Sequence, residues 1–77
     1  MTSLTQKQIA QVLDRAAGRS AYPSTGKQNW YLAGLWLKAG TAEINYQDFL
    51  LDSSAALSKD MASDLIGIAI RDAAKAA

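Results

Sequence analysis

The sequence predicts an all-α domain, a small bundle of about four helices with an apolar helix 2 at its centre. Three observations carry this. Several stretches repeat apolar residues at the three- and four-residue spacing of a helix face. Capping residues and glycines stand at the ends of those stretches. The chain has 77 residues, enough for a single helical domain over residues 1–77 and one core.

Helix 1 is expected from about Thr5 to Ala17. Ile9, Val12, Leu13, Ala16 and Ala17 form one apolar stripe, with Gln6, Lys7, Gln11, Asp14 and Arg15 largely opposite. Thr5 and Gln8 have capping-box spacing, Leu4 can staple the chain before them, and Gly18 suits the C-terminal stop. Residues 18–26 read as a loop, because Pro23 has no amide hydrogen and restricts Tyr22. Ser24 or Thr25 then caps helix 2, with Gln28 three residues after Thr25. This helix runs to Ala39 and stops at Gly40. From Trp30 to Leu37 it is apolar all round, so it belongs at the centre of the fold or in an interface.

Gly40 to Asn45 reads as a connector, with Asn45 capping a helix 3 that continues through Leu57. Asp48 then sits in the first turn, and Tyr46, Phe49, Leu50 and Leu57 face inward. Ser58 caps helix 4, from Lys59 to Ala76. Its core stripe is expected at Met61, Leu65, Ile68 and Ala69, widened by Ile66, Ile70 and Ala73. Asp60 and Asp64 near its start and Arg71 and Lys75 near its end complement the helix dipole. The alternation of Ile66, Ile68 and Ile70 leaves a short strand over Leu65 to Ile70 as the alternative.

Composition narrows the chemistry. The chain has no Cys and no His. Disulfides, thiolate nucleophiles, Cys-based zinc sites and imidazole bases are therefore excluded. No carboxylate or lysine grouping replaces them, so the expectation is no enzyme, no cofactor and no metal. Apolar residues reach 49% and charged residues only 19%. So short a chain has difficulty hiding that much apolar surface alone, which points to a homo-oligomer or a complex. The N-terminus has no signal-type apolar region, and no apolar run approaches the roughly 20 residues of a membrane span. With no Cys, the expected location is cytoplasmic.

The net charge of +1 hides an asymmetry. Lys7, Arg15, Arg19, Lys27 and Lys38 face only Asp14 in the first half. In the second half Lys59, Arg71 and Lys75 face Glu43, Asp48, Asp52, Asp60, Asp64 and Asp72. The halves can attract each other, or the basic one can meet an anionic partner.

Leu4 to Leu13 resembles the first helix of helix-turn-helix repressors, with Ala10 at the place of the tight turn. The resemblance covers ten residues and implies duplex DNA as a partner. The chain then departs from it. Asp14 stands where that family has Gly, Pro23 interrupts the place of the recognition helix, and a Trp/Tyr/Leu helix follows. Glu43 to Phe49 resembles the exit of an EF-hand loop. Leu37, Ala39 and Thr41 then hold early ligand positions without a carboxylate, which speaks against calcium.

The start of helix 2 has no acid to balance its positive end and carries Lys27 there. Arg19, Tyr22, Lys27, Gln28, Asn29 and Trp30 are accordingly the expected partner-binding residues, with Trp30 or Trp36 left exposed as an anchor. The leading expectation is a non-enzymatic protein-binding module or small regulator. Its size and lack of catalytic residues match the accessory and inhibitor proteins common in phages and plasmids. One alternative is a nucleic-acid-binding regulator using Lys7, Arg15, Arg19 and Lys27. Another is a structural assembly subunit.

Overall fold

The computed structural model describes residues 4–52 and 54–76. It contains helices α1 (Gln6–Ala17), α2 (Gly26–Ala39), α3 (Ala42–Leu51) and α4 (Lys59–Ala76). The radius of gyration is 11.5 Å, that of a close-packed chain of this length. Leu65 to Ile70 is helical, not a strand. Among the described residues the extended pairing is a lone antiparallel bridge between Pro23 and Ser58.

Both expected capping boxes form. Gln8 N donates to Thr5 Oγ1 at 3.2 Å while Thr5 N donates to Gln8 Oε1 at 2.9 Å. At α2 the same exchange joins Gln28 and Thr25, at 3.1 and 3.0 Å. Each box satisfies two amides that the first helical turn leaves without partners. At the start of α4, Ser58 Oγ accepts from Met61 N. The two glycine stops differ. Gly40 takes the left-handed conformation (φ 77°) that favours glycine, whereas Gly18 stays right-handed (φ −63°).

α2 is the centre of the bundle and packs against each of the other three helices. Its inner face, Asn29, Leu32, Ala33 and Trp36, meets Ile9, Ala10, Leu13 and Ala16 of α1 in one core. The Trp36 ring lies 6.1 Å from that of Phe49, tilted by 35°, which docks α3. Among the described residues α4 touches no helix but α2. It buries only small residues, Ala62, Ala69 and Ala73, which lets the two helices approach closely.

Two expectations about the second half are corrected. α3 starts at Ala42 rather than after Asn45, because the Gly40 turn lets Thr41 N donate to Trp36 O and the helix begin at once. Glu43 therefore sits in the first turn, and Asp48 lies near the far end. α3 also stops at Leu51 instead of Leu57. Asp52 Oδ1 accepts from both Ser54 N (3.0 Å) and Ser54 Oγ (2.6 Å), a side-chain turn that competes with further helix. The chain past Asp52 then returns to the core. Leu57 is fully buried, its N donates to Ala16 O, and its O accepts from Ser24 N. Leu57 thus faces inward as expected, but from a loop.

The apolar pattern is also redistributed. Leu50 is exposed, while Tyr46 and Phe49 pack partly against the core. On α4 the inward stripe is Ala62, Leu65, Ile66, Ala69 and Ala73. Met61, Ile68 and Ile70 are exposed instead. With only α2 to pack on, α4 buries a narrow strip centred on its alanines. No described helix is long and apolar enough to cross a membrane.

Candidate functional site

The residues expected to bind a partner at the start of α2 do not form one surface. Asn29 is only 1% exposed, so it is a structural residue rather than a contact. Its Nδ2 donates to Asp14 Oδ1 and its Oδ1 accepts from Ser24 Oγ, each at 2.7 Å. Burying an amide without such partners is costly, and here both ends are matched. Gln28 is likewise engaged. Beyond the capping box, its Nε2 reaches Lys59 O (3.3 Å) and Ser63 Oγ (3.4 Å), joining α2 to α4. Arg19 directs Nη1 to Ala55 O at 3.1 Å. The two hydrogen bonds from Ser54, and after them the nearby Arg19 charge, hold the Asp52 carboxyl below the usual carboxylate range.

Tyr22, Lys27 and Trp30 remain exposed. Tyr22 is the most open, at 80%, and its backbone carbonyl accepts from Lys59 N. Of the two tryptophans, Trp36 is buried and Trp30 is half exposed, at 50%. The cations of the nucleic-acid alternative divide. Lys7 and Arg15 lie on the solvent side of α1, while Arg19 is turned to the Asp52–Ala55 turn.

The surface that emerges is the outer face of α2. Lys27, Trp30, Tyr31, Gly34 and Lys38 recur at the spacing of one helix side, opposite Leu32, Ala33 and Trp36. Tyr31 is 51% exposed. An open groove of about 300 Å³ runs here, lined by Gln6, Trp30, Tyr31, Gly34, Leu35 and Lys38. Gln6 Nε2 donates to Trp30 O at 2.9 Å, closing the groove on the α1 side. Gly34 forms its floor. A Cβ there would come within 2.8 Å of Gln6 Nε2, so the glycine leaves room for that amide.

Gln6, Tyr31, Gly34 and Lys38 are not among the binding residues expected from the sequence. The signal for three of them was present. Starting from Lys27 and stepping by three and four residues gives Trp30, Tyr31, Gly34 and Lys38. The apolar run from Trp30 to Leu37 concealed this, because nothing in it tells an outward aromatic from an inward one.

The face has no acid of its own. Two aromatic side chains sit between lysines near opposite ends of the helix, and among the described residues no group of three or more Asp or Glu converges on a metal-binding cluster. No protein-family model, no curated protein and no solved structure matches the chain.

Proposed function

We propose that this protein is a small non-enzymatic binding module that holds a protein partner on the outer face of α2. The observation that carries this reading is the exposure of Trp30 and Tyr31, side by side over an apolar groove, in a chain of only 77 residues. Exposed aromatics next to a groove are the usual anchors of protein interfaces, since each buries a large area at small entropic cost. Lys27 and Lys38 bracket them, so the partner segment presents an apolar or aromatic side chain between carboxylates. The module acts by occupying a partner's surface, as a regulator or inhibitor does.

Affinity capture from the native host tests this with three tagged forms: wild type, Trp30→Ala with Tyr31→Ala, and Lys7→Glu with Arg15→Glu. The reading expects one protein retained by the wild type and the α1 variant and lost with the aromatic variant. A duplex-DNA mobility shift runs beside it. DNA binding that falls steeply with salt and disappears in the α1 variant would instead assign the function to the basic face of α1.

A further inference from the structure

We propose that α4 is a self-pairing surface, on which a second copy of this chain packs its own α4 antiparallel about a two-fold axis near Gly67 and Ile68. This face is separate from the outer face of α2. α4 touches only α2 among the described helices, so its other side has no partner among the described residues. On that side Met61, Asp64, Ile68, Arg71 and Lys75 follow alternating three- and four-residue steps, and all five are exposed. That spacing is the seam by which two helices lie side by side.

The charges on this seam, with Asp60 exposed beside it one turn before Asp64, fit a second copy turned end to end. Asp60 and Lys75 lie at equal distances on either side of the bond between Gly67 and Ile68, and so do Asp64 and Arg71. An antiparallel copy in one register therefore sets Asp60 against Lys75 and Asp64 against Arg71, and the two-fold repeats both pairs. A parallel copy would set like charges together. Such pairs select register and orientation more than they add affinity. The attraction comes from Ile68 and Met61, which are 47% and 45% exposed in the single chain.

Gly67 supplies a separate observation. Glycine in mid-helix is unfavourable, and nothing among the described residues requires it there. A Cβ built at Gly67 meets no atom within 4 Å. Its place beside the symmetry point accounts for it, because a residue without a side chain admits the Ile68 of the opposite helix.

The test is a charge exchange on the purified full chain, read by light scattering on a sizing column from about 1 to about 100 µM. One variant carries Asp60→Lys and Asp64→Lys, the other Arg71→Asp and Lys75→Asp. The wild type is expected to reach twice the 8.2 kDa chain mass. Each variant alone should stay monomeric, since all its seam charges then share one sign, and an equimolar mixture should dimerise again. Ile68→Gln leaves the charges alone and should weaken the dimer by about tenfold or more, deciding the matter if a charge variant loses its helicity. Three results would overturn the proposal. One is a wild type that stays monomeric throughout, whether its α4 face meets another protein or none. Another is a dimer indifferent to all these substitutions. The third is a mixture of two fully helical variants that remains monomeric.

Discussion

Asn29 and Asp14 meet through a 2.7 Å hydrogen bond that fastens the first turn of α2 to α1. Ser24 holds the other end of the same amide, so one buried side chain joins α1, α2 and the loop between them. Asn29→Ala removes both bonds and strands the Ser24 hydroxyl, which should cost about 2 kcal/mol in denaturant unfolding. Asn29→Asp makes a sharper test. It places a second carboxylate beside Asp14, so burial and like charge raise the folded pKa of the new group above its unfolded value near 4. The added instability should be full above that raised folded value, shrink as the pH falls from it toward about 4, and be gone below about 4. A pH-independent deficit would contradict this.

Leu57 is the core residue that a loop supplies. It is fully buried, and its backbone is bonded to Ala16 and Ser24. Leu57→Ala should cost about 3 kcal/mol, within the range for large-to-small core changes. In so small a domain that is most of the total stability, and the thermal midpoint should fall by more than about 10 °C. Leu51→Ala is the control: Leu51 is 78% exposed and should change the midpoint little.

Gly34 within α2 and Gly40 just after it separate conformation from space. Gly40 holds φ 77°, so Gly40→Ala should cost about 1 kcal/mol although its surroundings are open. Gly34→Ala has normal helical backbone and crowds only the side-chain amide of Gln6, which its rotatable bonds allow to turn aside. It should leave stability unchanged or raise it by up to about 1 kcal/mol, while displacing Gln6 from Trp30 O. Urea unfolding of both variants reads the contrast.

The Asp52 turn should be visible by NMR titration. The Asp52 carboxyl should titrate below ordinary aspartates, and Ser54→Ala should bring it back more than Arg19→Ala does, because the Ser54 hydroxyl is the larger cause. A lowered folded value means that the turn contributes stability above the unfolded pKa and loses it as the pH falls through the folded one. An Asp52 midpoint indifferent to Ser54→Ala would contradict the geometry.

What was legible in the sequence is local. The capping boxes at Thr5 and Thr25, the Ser58 cap and the limits of α1, α2 and α4 rest on neighbouring residues and could be read directly. The limits of α3 are not legible, because its start depends on a turn at Gly40 and its end on the Asp52 side chain, neither of which leaves a periodic trace. The α4 stripe was mis-phased for a tertiary reason. Its alanines face α2 because small side chains permit close packing there, whereas Met61, Ile68 and Ile70 give the stronger periodic apolar signal. The candidate site shifted along α2 for a related reason. Asn29 and Gln28 look like free donors in sequence, and only the fold shows their partners.

Titration calorimetry with the captured partner tests the outer face of α2 as a binding surface most directly. Trp30→Ala should weaken binding by about 30-fold, or about 2 kcal/mol, with helicity and thermal midpoint retained. An unchanged affinity in a folded Trp30→Ala protein would contradict it.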